Sequence, residues 1–239
     1  MSRLWLGGKH RAIFDAAVSG NAAATYEDEW LVDARPRYPL RASGNLAATV
    51  TFSSRQLNAA VLVNHNIADG ASASASGFGT IPTTPWRANG IPRNYGVFLE
   101  TPITTGSISV AANGSPAIVG EFWAGLLEGF PGFQHGRRQT PDKPFGWEGQ
   151  FKSLAPYAYG VSAQRRVAGT ITLASFEEFD ALDNIFESQD NGSYPILFWE
   201  DIEINDPWLC QFSYEEAHGE NAHTIQIEIT EIPRFKWPA

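Results

Sequence analysis

Histidine, cysteine and closely spaced acidic residues are the side chains in this 239-residue sequence that could perform chemistry. The five histidines stand at positions 10, 65, 135, 218 and 223, and none has another histidine two or four residues away. Cys210 is the single cysteine, without a neighbouring ligand at the spacing of a zinc site. Gly77-Phe78-Gly79 lacks the third glycine and the following helix of a dinucleotide site. The sequence therefore predicts no metal, no cofactor and no residues that bind either; a metal site assembled from distant parts of the chain is the alternative.

The densest acidic cluster is Glu200-Asp201-Ile202-Glu203, which directly follows a short apolar run. A pair of carboxylates can hydrolyse a glycosidic bond, so a hydrolase of cell-wall sugar is one alternative. Acidic residues at the end of a strand are more often simply solvated. We interpret the cluster as a solvated strand end, and we predict no catalytic residues and no enzyme activity.

A strongly apolar run, Leu57–Val63, ends in the polar tripeptide Asn64-His65-Asn66. Amide and imidazole groups at the tip of a strand can hydrogen-bond the hydroxyl groups of a sugar. Trp86 lies in the next loop, which is rich in Gly, Pro and Thr. Asn64, His65, Asn66 and Trp86 are therefore predicted carbohydrate contacts. The alternative is a turn whose side chains bond their own backbone.

Composition and charge exclude several classes of protein. Hydrophobic residues make up 43% and charged residues 18% of the chain, which predicts a sizeable buried core rather than disorder. A net charge of −9 argues against a nucleic-acid partner, because phosphate backbones are bound by basic surfaces. The first nine residues lack the apolar segment of a secretory signal, and no run approaches the ~20 apolar residues of a membrane span. With one cysteine, we expect synthesis in a reducing compartment.

The best-specified local pattern is a strand, a capped helix and a second strand in the second half of the chain. Thr170–Leu173 alternates polar and apolar residues, as a half-buried strand does. Ser175 and Glu178 form the sequence pattern of a capping box, which predicts a helix over 175–189. The apolar run Ile196–Trp199 then predicts a short buried strand. The apolar face of the helix recurs at three- and four-residue spacing: Phe176, Phe179, Leu182, Ile185 and Phe186.

Two further strands are predicted near the end of the chain. Trp208–Tyr214 is apolar, and His223–Ile232 alternates isoleucine with polar residues. The pair predicts a hairpin that packs against the apolar face of the helix. The second half is therefore predicted as an α+β domain.

The first half of the chain contains many short β-rich runs separated by turn signals, which is typical of a β-sandwich. Ala47–Phe52 and Leu57–Val63 read as two strands joined by a Ser-Ser-Arg turn. Glycine and proline punctuate the middle of the chain, which predicts a connection between two domains. We predict a mainly β protein with a β-sandwich over 1–128, a connecting arm over 129–150 and a second β domain with one helix over 151–239.

These patterns resemble two domains of tail-tip proteins from long-tailed bacteriophages. The stretches Leu40–Gly77 and Tyr95–Gly125 resemble the discoidin-like (galactose-binding-like) jelly roll of those proteins. The second half, from Val167 to Ile232, is similar to the tail-tube-like fold of distal-tail and minor tail proteins. The shared features are a strand, an aromatic-rich helix, a strand such as Ile196–Trp199 and a final hairpin.

The resemblance implies a structural role in a virion. Such proteins form homo-oligomeric rings at the distal end of the tail, where they join the tail tube to the hub of the baseplate. Their partners would be the tube, tape-measure and hub proteins, and assembly would take place in the cytoplasm of the host bacterium. The alternative function is a carbohydrate-binding module that recognises a glycan on the host surface.

Overall fold

The protein was analysed as a computed structural model, and the predicted mainly β class is confirmed: two antiparallel sheets dominate, with one α-helix in the described part. The structure describes residues 3–8, 16–33, 39–83, 94–114, 116–133, 135–143, 164–189, 194–200, 202, 207–217 and 223–232.

The first sheet, here called the helix-bearing sheet, combines the beginning of the chain with its second half. Its strands are β1 (Arg3–Gly7), β9 (Leu127–Pro131), β10 (His135–Lys143), β11 (Gln164–Leu173), β12 (Ile196–Trp199), β13 (Trp208–Ala217) and β14 (His223–Glu231). Their spatial order is β10-β11-β14-β13-β12-β1-β9. The predicted C-terminal hairpin is present, because β13 pairs with β14.

The second sheet, here called the sandwich sheet, contains the strands between β1 and β9. They are β2 (Ala17–Ser19), β3 (Leu40–Arg41), β4 (Leu46–His65), β5 (Ala73–Ala75), β6 (Gly79–Thr80), β7 (Tyr95–Ala112) and β8 (Ile118–Gly125). The order is β3-β8-β4-β7-β5-β6, and β2 pairs with the first half of β4. A short 3-10 helix, Asp28–Leu31, packs its Leu31 into the same core.

One continuous strand replaces the two that were predicted around the Ser-Ser-Arg segment. β4 runs for 20 residues, and its pairing with β7 shifts register between Thr51 and Arg55 and again between Leu57 and Ala59. Such irregularities bend a strand and increase its twist. The two halves of β4 therefore contribute to one core, with Val50 from the first half and Leu62 from the second.

β1 lies in the helix-bearing sheet, whereas the sequence groups residues 1–128 in one predicted β-sandwich. β1 pairs with β12 on one side and with β9 on the other, so it belongs to the helix-bearing sheet. The side chain of Trp5 requires the glycine opposite it, because a Cβ on Gly129 would lie 2.9 Å from the Trp5 ring. The predicted arm over 129–150 contains strand residues of β9 and β10, and its remainder, 144–150, lies outside the described residues. The sandwich is thus an insertion between β1 and β9.

The predicted helix is confirmed as α1, Phe176–Glu187, with Ser175 as its N-cap. The Ser175 hydroxyl accepts the backbone N–H of Glu178 at 3.3 Å, and the Glu178 carboxylate accepts the N–H of Ala174 at 2.7 Å. The capping box therefore reaches one residue further back than the sequence pattern predicts. Leu182 and Ile185 are the helix residues that enter the core.

A shared hydrophobic layer joins the two sheets. The sandwich sheet contributes Ala59, Val61, Val63 and Trp123, and the helix-bearing sheet contributes Leu127, Leu197, Trp199 and Leu209. A Cβ on Gly7 or Gly125 would lie 2.6 or 2.7 Å from the ring of Trp123, so these glycines make room for it. The Asn58 amide accepts the N–H of Leu127 and donates to its carbonyl. Asn58 thereby provides hydrogen-bond partners for two backbone groups at the outer edge of β9.

Within the described residues, no helix has the length and apolar character needed to cross a membrane.

Candidate functional site

A polar cleft lies where the two sheets meet the end of α1. It has a volume of about 420 Å³, within the range that is common for small-molecule sites. We call it the junction cleft. The side chains that carry its chemistry are Arg55, Gln56, Leu126, Glu128, Asn184 and Glu187. Junctions between domains are frequent places for ligand sites.

Separate elements of the fold position these side chains. Arg55 and Gln56 are exposed on the irregular stretch of β4, where the register shifts turn the strand. Asn184 and Glu187 are three residues apart on α1, so they occupy neighbouring positions on one helix face. The cleft therefore depends on the contact between the sandwich sheet and the helix-bearing sheet.

The junction between β8 and β9 supplies the remaining wall. Leu126 stands between the two strands and is 40% exposed, and Glu128 follows on β9. Partial burial raises the pKa of Glu128 above its ordinary value, because desolvation disfavours the charged carboxylate. An apolar side chain thus lies beside an acid that is easier to protonate than usual.

The cleft combines charged side chains of both signs with neutral amides. Within the described part of the chain, Arg55, Glu128 and Glu187 form no salt bridge. A guanidinium donates several hydrogen bonds, carboxylates accept them, and amides do both. This set matches a small ligand rich in hydroxyl groups, and Leu126 can contact its apolar side. The arrangement supports binding.

The predicted carbohydrate contacts at the tip of β4 lie in a different environment. His65 is 2% exposed and Asn64 is fully buried, whereas Asn66 is exposed. The Asn66 amide donates to the carbonyl of Pro116 and accepts the N–H of Ile118. Both partners of Asn66 lie about fifty residues away, around the beginning of β8, rather than in a local turn. Trp86, the fourth predicted contact, lies outside the described residues.

His65 is held as a neutral imidazole inside the sandwich. Its Nδ1 accepts the backbone N–H of Ile67 at 3.2 Å, and its ring lies 4.4 Å from the ring of Tyr95. Burial lowers the pKa of His65 to about 3, because the cation would be desolvated. Since Nδ1 accepts a hydrogen bond, the ring proton resides on Nε2. His65 therefore contributes a packed, uncharged ring to the core.

Asn64 belongs to a polar bridge between the two sheets. It has a positive φ of 50°, a conformation that asparagine tolerates better than most residues. The Asn94 side chain accepts the N–H of Asn64 at 2.9 Å and donates to the carbonyl of Pro207 at 2.6 Å. The strand tip is thus tied to the beginning of β13.

A second concave surface lies on the outer face of the sandwich sheet. Small side chains and glycines from β2, β4, β5, β6 and β7 line a volume of about 660 Å³, among them Ser19, Thr49, Ser74, Ser76 and Ser109. None of the described residues that line it is charged or aromatic. The surface lacks the diverse polar groups that define the junction cleft.

The remaining candidates from the sequence stand as follows. Among the described residues, no three His, Cys, Asp or Glu side chains are close enough to hold a metal ion. Cys210 is fully buried, and burial raises the pKa of its thiol well above the ordinary value. A buried thiol of this kind behaves as a small apolar residue. Of the acidic cluster after β12, Asp201 and Glu203 lie outside the described residues.

The described residues form a mainly β architecture with two antiparallel sheets and one α-helix. No family model and no curated protein matches the sequence. Two solved structures from Clostridium perfringens match part of the chain. The family 32 carbohydrate-binding module of NanJ, in complex with galactose, has 12% identity and a TM-score of 0.38, covering 52% of this chain and 99% of the module. CpGH89CBM32-6 also has 12% identity and a TM-score of 0.38, covering 48% of this chain and 97% of its own.

Sequence reasoning missed every residue of the junction cleft. Arg55 was read as part of a turn, and Glu128 as the last residue of a domain. Asn184 and Glu187 lie outside the predicted apolar face of the helix, and both are exposed. Nothing in their spacing along the chain reveals that they share a cleft, because the long-range pairing of the sheets brings them together.

Proposed function

We propose that this protein is a structural component of the tail tip of a long-tailed bacteriophage, and that it forms a homo-oligomeric ring between the tail tube and the hub. The observation that supports this best is the insertion of the sandwich between β1 and β9. The helix-bearing sheet thereby forms one domain, and the sandwich is a second domain inserted into it. This division suits a component that assembles through one part and presents the other.

The attachment of the sandwich to the helix-bearing sheet also supports the proposal. Two chain connections, at Gly8 and at Leu126, and the shared hydrophobic layer around Trp123 and Trp199 fix its position. Buried hydrogen bonds from Asn58 and Asn94 cross the same boundary. A large hydrophobic interface resists domain motion. A rigid junction is what a part that transmits force from a host surface to a tube requires.

The purified full chain tests this proposal. Size-exclusion chromatography with light scattering gives the mass in solution, and negative-stain electron microscopy shows whether rings form. We expect a discrete oligomer with rotational symmetry at micromolar concentration. A chain that stays monomeric at all accessible concentrations contradicts the proposal.

Carbohydrate binding is a second candidate function, and the junction cleft is the observation that favours it. Arg55, Gln56, Glu128 and Asn184 offer donors and acceptors that could hydrogen-bond adjacent hydroxyl groups. A glycan array, followed by calorimetry with each glycan that binds, provides the test. We expect Arg55→Ala to remove binding and Arg41→Ala, an exposed arginine elsewhere on the sandwich, to preserve it. A silent array, or equal binding by both variants, contradicts this function for the cleft.

A further inference from the structure

The junction cleft contains charges of both signs that do not neutralise each other. Arg55 comes from β4, Glu128 from β9 and Glu187 from α1. Within the described part of the chain, none of these three side chains has an ion pair or a hydrogen bond. Unlike charges attract strongly at short range, so their separation shows that the three elements hold them apart. A ligand in the cleft therefore meets a cation and an anion at different points.

The end of α1 gives one part of the cleft a negative potential. Asn184, Ile185, Glu187 and the C-cap Ser188 all line the cleft. The C-terminus of a helix is the negative end of its dipole, and the last turn of α1 contains no basic residue. The Glu187 carboxylate adds a full negative charge at the same place. This part of the cleft therefore attracts a cation.

The carboxyl group of Glu128 favours a cation for a second reason. Partial burial raises the pKa of Glu128, because desolvation disfavours its charged form. A ligand that covers the cleft removes still more water from this carboxylate. A positively charged ligand group compensates for that loss with a charge-assisted hydrogen bond, whereas an apolar group does not.

The stretch of β4 that lines the cleft supplies its positive charge. Among the described lining residues, Arg55 is the basic one, and its exposed neighbour Gln56 adds amide donors. A guanidinium binds a carboxylate through two parallel hydrogen bonds, so an acidic ligand group fits this wall best. The cleft as a whole is therefore complementary to a ligand that carries one charge of each sign.

We propose that the junction cleft binds an amino sugar that carries both a free ammonium group and a carboxylate group. Glu128 and Glu187 hold the ammonium group, and Arg55 holds the carboxylate. Leu126, which is 40% exposed, contacts the apolar side of the sugar ring. The inference rests on the proposed carbohydrate-binding function of the cleft and adds the class of sugar.

Isothermal titration calorimetry of the full chain with four sugars tests the two charges separately. Muramic acid carries both groups, glucosamine the ammonium alone, N-acetylmuramic acid the carboxylate alone and glucose neither. The titrations are run at about pH 6.5, below the ordinary pKa of an amino group. We expect muramic acid to bind most tightly and each missing charge to weaken binding roughly tenfold, the size of one charge-assisted hydrogen bond.

Variants that keep the side-chain size locate each charge. Glu128→Gln and Glu187→Gln should each reduce the preference for muramic acid over N-acetylmuramic acid at least about threefold. Arg55→Gln should weaken muramic acid to the affinity of glucosamine. Arg41→Gln and Glu100→Gln are matched controls, because both residues are exposed on the sandwich, and they should leave both ratios unchanged. Circular dichroism checks the fold of each variant.

The outcomes distinguish this ligand class from carbohydrate binding itself. A native chain that binds none of the four sugars and no glycan on an array overturns both. If the native chain binds glucose or another neutral sugar at least as tightly as muramic acid, the charged ligand class is wrong and carbohydrate binding stands. If muramic acid is preferred but the three cleft variants keep both ratios, these side chains do not select it and the inference is overturned.

Discussion

The tip of β4 and the junction cleft are both rich in polar side chains, but they use them in opposite ways. At the tip, Asn94 bonds two backbone segments and His65 is buried against Tyr95. In the cleft, Arg55 is exposed and Glu128 is partly exposed, and within the described residues neither forms a salt bridge. At the tip, the Asn94 side chain and the His65 Nδ1 bond backbone groups of the fold, whereas the polar side chains of the cleft line an open volume that a ligand can enter.

The difference teaches that residue type alone does not distinguish a binding site from a structural network. Burying a polar group is unfavourable unless it finds a hydrogen-bond partner, so buried polar residues are normally bonded internally. Asn64 looks like a ligand contact in the sequence, but its backbone N–H is bonded to Asn94. Whether the tip also contacts a sugar stays a prediction.

Replacement of Trp123 is expected to have the largest effect on the stability of both the strand tip and the junction cleft. Trp123 is fully buried between Gly7 and Gly125, at the layer that joins the sheets. Trp123→Ala should lower the free energy of unfolding by about 3–5 kcal/mol through lost burial and a cavity. Urea denaturation measures the change. Leu126→Ala, at a 40% exposed side chain, is the control and should cost much less; equal losses would contradict the assigned layer.

Removal of Asn94 tests whether the strand tip is structural. Asn94→Ala leaves the N–H of Asn64 and the carbonyl of Pro207 without these buried bonds. We expect a loss of about 2 kcal/mol in the free energy of unfolding, since buried groups without partners carry a desolvation cost. Chemical denaturation gives the value. A loss below about 0.5 kcal/mol would place the tip with ordinary surface positions.

The buried imidazole of His65 should make stability depend on pH. Its pKa in the folded protein is about 3 against an ordinary 6.5, so between these values the unfolded chain binds more protons. Stability is therefore lost as the pH falls through 6.5, by about 2 kcal/mol between pH 7 and pH 5. Unfolding curves of the native chain and His65→Gln measure this term as the difference of their pH slopes. Identical slopes would show that His65 is not buried as a neutral ring.

Arg55→Ala in the cleft should have the smallest effect on stability. An exposed side chain that forms no salt bridge with the described residues contributes little, so we expect less than about 0.5 kcal/mol. If the cleft binds a glycan, the same variant should lose that binding, whereas His65→Gln should retain it. Thermal unfolding and calorimetry in parallel make the comparison. A large loss of stability in Arg55→Ala would mean that the cleft, like the strand tip, serves the fold.

Local elements were predictable where the signal is local. Two local signals predicted α1: the capping pair Ser175 and Glu178, and the helical spacing of Leu182 and Ile185. Both signals depend on residues that are only a few positions apart in the chain. The alternating isoleucines of β14 likewise predicted its buried face. The aromatic residues were less informative: Phe176 and Phe186 follow the periodicity, but both lie at the exposed margin of the helix.

The sequence by itself determined the mainly β class, the helix with its cap and the C-terminal hairpin, because periodicity and capping depend on residues that are close in the chain. Only the tertiary structure decided that β1 lies between β12 and β9 in the helix-bearing sheet, that β4 continues through its bend, and that Arg55, Glu128 and Glu187 share a cleft. Those features depend on strand pairings and burial between segments far apart in sequence. The difference between a bonded His65 and an exposed Arg55 arises from that packing.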